Sequence, residues 1–175
     1  VMCINAGVDL LEHVPVLDDK IIDMLQERDI WICPTVYVGS QIMKYGVEGG
    51  VCEETVKFEY DVYPDKIKNF QHAYKRGVKF FAGRDGGSFF VPQADFPGEL
   101  ITLEKFGVSR LDCIKSCTEY SAKALRFWDT AGSIEKGKWA DILILNQNPM
   151  EDLHAFYDRY KVYKFGKDVD KLLVD

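Results

Sequence analysis

Residues 8 to 35 restrict the fold more than any other part of the chain. The run Val8–Glu12 is apolar and β-prone and stops at His13, and Pro15 closes the turn that follows. Asp18 stands where an N-cap belongs, and Ile21, Ile22 and Leu25 recur at helical spacing, which predicts a helix from Asp19 to about Arg28. A second β-prone run, Ile30–Thr35, follows after a very short connection. Strand, helix and strand joined by tight loops make a βαβ unit, and its strands are expected to be parallel.

A third strand is expected at Val78–Ala82, in the stretch Gly-Val-Lys-Phe-Phe-Ala-Gly-Arg-Asp-Gly-Gly from Gly77 to Gly87. It ends at a glycine and delivers Asp85, flanked by Gly83, Gly86 and Gly87, so the backbone is free to turn sharply and come close to whatever Asp85 faces. A carboxylate at the carboxyl end of a buried strand is where α/β barrels keep their chemistry. Asp-Gly is also a common turn pair, and the plainer alternative has Asp85 only capping a turn. For His13 the plainer alternative is a structural histidine after an apolar strand. His72, in the middle of a helix, and His154, in the last part of the chain, read as structural or surface residues.

Between these landmarks, Tyr37–Cys52 is Gly-rich and aperiodic and reads as a long loop, and Glu53–Arg76 reads as a helix broken near Pro64. Ser88–Pro97, with three Phe and two Pro, reads as a second long loop of the kind that shapes a pocket. Short helices are expected from Gly98 to Phe127, with Ser109 and Thr118 as N-caps. After Gly132 the strands alternate rather than run fully apolar: Ile142–Leu145, a turn at Asn146–Pro149, and a hairpin of Tyr160–Phe165 and Val169 around Gly166-Lys167. That pattern predicts an antiparallel sheet with one wet face. At the other end, Cys-Ile-Asn-Ala-Gly7 reads as the end of a helix with Gly7 as its C-cap, and with no initiator Met the natural start is expected to lie upstream.

Net charge is −6 over 175 residues, with acids and bases interleaved, and no cluster of Lys and Arg suits a phosphate backbone; nucleic acid is therefore not an expected partner. Apolar runs are of strand length, so neither a membrane span nor a signal peptide is expected, and the chain reads as soluble and cytoplasmic. The 5 cysteines, at 3, 33, 52, 113 and 117, form no Cys-x-x-Cys pair. Reduced, mostly buried thiols are expected, and the Cys113/Cys117 spacing lacks the companions a metal site needs.

Four segments in this order carry a resemblance: Ala6-Gly-Val-Asp-Leu-Leu-Glu-His13, Gly77-Val-Lys-Phe-Phe-Ala-Gly-Arg-Asp85-Gly-Gly87, Cys117-Thr-Glu-Tyr-Ser-Ala-Lys-Ala-Leu125 and Gly132-Ser-Ile-Glu-Lys-Gly-Lys-Trp-Ala-Asp-Ile-Leu-Ile-Leu145. The chain resembles the carboxyl-terminal portion of the amidohydrolase superfamily, in the branch of imidazolonepropionase and the metal-dependent Xaa-Pro dipeptidases. The resemblance implies an α/β fold: part of a (β/α)₈ TIM-type barrel, strands six to eight, in residues 1–130, and part of a small β-sandwich in residues 131–175. It also implies a divalent metal, zinc by preference, held by His13 at the end of strand six and by Asp85 at the end of strand eight. Asp85 would in addition take a proton from the attacking water.

The implied reaction is metal-assisted hydrolysis of a C–N bond in a small cyclic amide or dipeptide-like substrate. Departures are specific: Arg84 stands where the family usually has Thr, and Tyr120 where it usually has Asn. The family's His-x-His, its strand-four Lys or Glu and its strand-five His belong to strands expected upstream of Val1. On that expectation the chain alone would be inactive and would hold no metal, and its uncovered strands would favour a homo-oligomer. The competing reading is a non-catalytic α/β scaffold or binding module in which Arg84 and Asp85 form an internal ion pair.

Overall fold

The structure, a computed structural model, describes residues 1–87 and 90–172. It is a mixed α/β arrangement of two separate sheets. A short helix, α1 (Met2–Asn5), ends with Gly7 in the left-handed region at φ 83°, the αL termination expected there. Strand β1 (Leu10–Glu12) pairs in parallel with β2 (Trp31–Cys33), in the register Leu10 to Trp31, Leu11 to Ile32 and Glu12 to Cys33. Between them runs α2 (Asp19–Glu27), whose cap is Asp18: its carboxylate accepts the amide of Ile21 at 2.8 Å. Ile22 and Leu25 are buried, as the helical spacing requires.

The third strand is shorter than expected. Over Val78–Ala82 the pairing shrinks to one parallel bridge, Ile32 to Phe80, with Ile32 donating to the Lys79 carbonyl and Phe81 donating to the Ile32 carbonyl, both at 3.0 Å. On the far side, the Ala82 amide donates to the carbonyl of Ser116 at 3.0 Å, so a helix end occupies part of the edge where a further strand would pair.

The expected loop Tyr37–Cys52 is instead mostly helix: α3 (Val36–Tyr45) followed by a 3₁₀ turn at Val47–Gly49. Gly39, one of the glycines of that stretch, serves helix packing. A Cβ there would lie 2.1 Å from Glu59 Oε1 and 2.9 Å from the Tyr63 ring, so this glycine lets α3 lie close against α4 (Glu53–Lys75) rather than turning the chain. Pro64 does not break α4, which runs unbroken through it and leaves an exposed proline on its surface.

Of the loop expected at Ser88–Pro97, Ser88 and Phe89 lie outside the described residues; Phe90 stacks on Tyr45 at the end of α3, with ring centroids 4.2 Å apart. Then come α5 (Pro97–Lys105), α6 (Arg110–Ser116) and α7 (Glu119–Ala124). Ser109 caps α6 by accepting the Asp112 amide at 3.1 Å. Thr118 sits at the N-cap of α7 but turns its hydroxyl to the Ile114 carbonyl, 2.8 Å away.

The core lies among these helices and the parallel strands. Ile22, Leu25, Ile32, Phe70, Phe80, Leu100, Leu103 and Cys113 are all buried, and Phe70 meets Phe80 edge-on at 5.6 Å between centroids. Leu153, in a 3₁₀ turn at Leu153–Tyr157, enters the same core. The second sheet is antiparallel in the order β3 (Ile142–Leu145), β4 (Arg159–Lys164), β5 (Lys167–Asp168). The hairpin is reversed by Phe165 and Gly166, both at positive φ, as the tightest turns demand. Val169, expected in its second strand, opens α8 (Val169–Leu172) instead.

Cys33 and Cys113 are buried and Cys117 half-buried, but Cys3 and Cys52 are exposed; the expectation of mostly buried thiols holds for the first three. Among the described residues no helix is long and apolar enough to cross a membrane.

Candidate functional site at the carboxyl ends of the parallel strands

Three non-glycine residues in left-handed backbone conformation follow three neighbouring parallel segments. His13 (φ 54°) follows β1, Thr35 (φ 46°) follows β2, and Asp85 (φ 54°) follows the 78–82 segment. Asp29, Phe90, Arg126 and Phe165 share that conformation but stand after helices, in the 90–97 loop or in the hairpin. For Thr35, a β-branched residue, the conformation is a true outlier, and outliers of this kind gather where a site needs a side chain aimed against its preference.

His13 and Asp85 are exposed and sit at the same edge of the sheet, with β2 between their strands. The His13 ring is held by Nδ1, 2.6 Å from the Thr35 hydroxyl. A cavity of about 60 Å³ opens beside it, walled by Thr35, Val36, Gly39, Tyr63 and the ion pair of Glu59 with Lys66. That pair is close at 2.6 Å, with the Glu59 carboxylate almost wholly buried. Asp85 does not line this cavity.

Between the two positions lies the Cys33 thiol. Burial, reinforced by the negative charges of Glu99, Glu12 and Asp85, pushes it up to about 12, so it is an uncharged space-filler and no nucleophile at neutral pH. Gly83 faces it directly: a Cβ there would stand 2.4 Å from Cys33 Sγ.

The Arg84–Asp85 ion pair of the competing reading does not form. The Arg84 side chain is buried and donates to the carbonyls of Pro92 and Gln93, and Gln93 Nε2 returns a bond to the Gly86 carbonyl at 2.7 Å. Gly86 permits this path, since a Cβ there would meet the guanidinium at 2.7–2.9 Å. Arg84 thus staples the 84–87 turn to the loop beyond it. Asp85 has no ion-pair partner among the described residues.

Thr35 and Glu99 belong to the same corner and were missed in the sequence. Glu99, on α5, is fully buried, and its two carboxylate oxygens accept the amides of Val36 at 3.0 Å and Tyr37 at 2.8 Å, the first two of α3. Burial pushes its carboxyl up to about 8, against the pull of those two amides. Thr35 could have been found as the last residue of a β-prone run, the position that carries chemistry in parallel sheets. Glu99 gave no usable signal: two residues after Pro97, it looks like an ordinary acid in the first turn of its own helix.

His72 and His154 stand apart from this edge. Each is exposed and hydrogen-bonded to a carboxylate, His72 to Asp19 and His154 to Asp152, both at 2.7 Å. Imidazole and carboxylate are donors that suit a divalent cation such as zinc. No group of three or more His, Cys, Asp or Glu able to hold a metal occurs among the described residues.

Comparison with known proteins bears on the whole chain. Ochratoxinase of Aspergillus niger is 28% identical over 169 residues, which cover 94% of this chain and 34% of that protein. A crystal structure of a Xaa-Pro dipeptidase with methionine bound in its active site is 30% identical with a TM-score of 0.82, over 94% of this chain and 40% of that one. The crystal structure of A. niger ochratoxinase is 26% identical with a TM-score of 0.80, over 94% and 38%. The chain therefore spans about a third of the curated relative's length. The profile of the amidohydrolase family matches residues 1–175, and the chain belongs to that family.

Proposed function

We propose that this chain supplies the last three β/α units of a barrel, in residues 1–130, and part of a small β-sandwich, in residues 131–175, to a hydrolase of C–N bonds in dipeptide-like or cyclic amide substrates. The observation that carries the reading is the row of left-handed residues at the carboxyl ends of the parallel segments, two of which present an imidazole and a carboxylate. Family membership and the 30% identity to a Xaa-Pro dipeptidase support the substrate class. A small-molecule substrate and a cytoplasmic setting go with it, the latter favoured by five unpaired thiols.

In this reading His13 and Asp85 are two of the donors for a divalent metal, zinc by preference, and the remaining donors come from outside the described residues. Bound there, the metal supplies a Lewis acid that makes water nucleophilic at neutral pH. Asp85 accepts the proton that water loses as it attacks the substrate carbonyl, and hands it to the departing nitrogen as the C–N bond breaks. Arg84, engaged with the Pro92 and Gln93 carbonyls, leaves that carboxylate unneutralised. A scaffold without catalysis is the weaker alternative, since the internal ion pair it relied on is absent.

The test is Asp85→Asn in the complete protein, assayed on Xaa-Pro and other N-acyl amino acid substrates. Turnover should fall by about 10²-fold or more, the size of a lost general base, with substrate binding nearly unchanged. Wild-type turnover in the variant would remove Asp85 from the mechanism and with it this reading.

A further inference from the structure

We propose that Glu99 and Thr35 form a positioning pair for His13: the Glu99 carboxylate caps α3, which frees the Thr35 hydroxyl to hold the imidazole at Nδ1 and leave Nε2 open. The inference rests on the reading of His13 as a ligand. It starts from an inversion of normal capping. A threonine at an N-cap ordinarily accepts an amide from its own helix. Thr35, at the N-cap of α3, makes no such bond, and its hydroxyl lies instead 2.6 Å from His13 Nδ1.

The vacated role is filled from another helix, by Glu99 accepting the Val36 and Tyr37 amides. The two facts are coupled. Without Glu99 those amides at a buried helix start would lose their acceptor, and the Thr35 hydroxyl, at the N-cap, is the group whose ordinary role is to take it, which would draw it away from His13. The Tyr63 hydroxyl, donating to the Val36 carbonyl at 3.3 Å, steadies the same turn from α4.

In the tautomer proposed, Nδ1–H donates to the Thr35 hydroxyl and neutral His13 keeps its lone pair on Nε2. The hydrogen bond on one imidazole nitrogen in this way selects which nitrogen is available to a ligand.

The test is ¹⁵N NMR of the imidazole rings of the 175-residue chain at pH of about 8.5, where an ordinary imidazole is neutral. His13 should populate the Nδ1–H tautomer over the other by about tenfold, the ratio a hydrogen bond of ordinary strength supports. Thr35→Val should abolish that bias, and Thr35→Ser, which keeps the hydroxyl, should restore it. Glu99→Gln, which turns an N–H group toward an amide, should also abolish it, although Thr35 is intact. His72 and His154 should not change in any variant.

If Glu99→Gln does not fold, Glu99→Asp, which draws the carboxylate back by one methylene, carries the same expectation. A His13 that is Nε2–H in the wild type, or indifferent to Thr35→Val, overturns the proposal; a folded Glu99 variant with the wild-type ratio reduces Glu99 to a helix cap and overturns the coupling. No metal or substrate enters the measurement. Its failure would leave the hydrolase reading intact, and an inactive complete protein would leave the tautomer ratio as measured.

Discussion

Gly83→Ala probes the contact beneath Asp85, and its cost can be worked from one distance. The added methyl would stand 2.4 Å from Cys33 Sγ, and among the described residues no other atom outside the adjoining ones comes within 4 Å of it. Gly83 has no positive φ, so no backbone penalty confuses the effect. The clash must be relieved by moving β2 or the 83–87 turn, and overpacking of this kind costs about 1–3 kcal/mol. Cys33→Ala alone removes a buried small apolar group and should cost about 1 kcal/mol. Together the two changes fit, because the methyl enters the space the sulfur leaves.

The double variant should therefore be only about 1 kcal/mol less stable than the wild type, a favourable coupling of about 2 kcal/mol. With a urea m-value near 2 kcal/mol/M, Gly83→Ala should lower the urea midpoint by about 1 M, and adding Cys33→Ala should recover half of that or more. Strict additivity of the two changes, or a Gly83→Ala midpoint equal to wild type, would refute the argument that the sulfur sets the backbone approach before Asp85.

Three further outcomes are expected. Asp18→Ala should destabilise the chain by about 1 kcal/mol in urea melts, and Asp18→Asn by much less, because only the first removes the acceptor for Ile21. Glu99, raised from 4.5 in its ordinary state to about 8 in the fold, holds a proton that the unfolded chain gives up. Its contribution is thus full below about pH 4.5 and lost as pH rises through about 8; stability should fall across that window, and Glu99→Gln should flatten the fall in urea titrations. Finally, β1 and the single-bridge third segment leave parallel edges short of partners, so light scattering coupled to size exclusion should show a dimer or larger. A compact monomer at micromolar concentration that binds no hydrophobic dye would contradict this.

Elements whose cause is local were legible from local patterns. The Asp18 cap, the Ile21, Ile22 and Leu25 stripe and the two β-runs sit within a few residues of what they determine, and the parallel pairing follows from the crossover alone. Helix α3 was not legible in the Gly-rich stretch 37–52, because the reason for Gly39 lies 20 and 24 residues away, in the Glu59 and Tyr63 side chains it must admit. Asp85 and His13 were legible as strand-end residues. Arg84 was not: a guanidinium next to a carboxylate in sequence invites an ion pair, but at successive positions the side chains diverge, and two carbonyls of a later loop hold it instead. Glu99 was the least legible, since a carboxylate that caps another helix from 62 and 63 residues away leaves no periodicity at either end.

The left-handed residues at the strand ends also bear on how such a chain would drift over generations. Glycine adopts that backbone without penalty, whereas each side-chain-bearing residue there costs about 1 kcal/mol or more, most for branched Thr35. Released from any duty, the chain would relieve that backbone cost with glycine at the exposed positions 13 and 85, offset in part by the entropy glycine adds to the unfolded chain, whereas at 35 a buried side chain would be lost as well. Replacement at 13 and 85 is thus an inexpensive step, and it would erase an imidazole and a carboxylate at once. A retired copy of this protein should accordingly betray itself at these two positions before its core shows any decay.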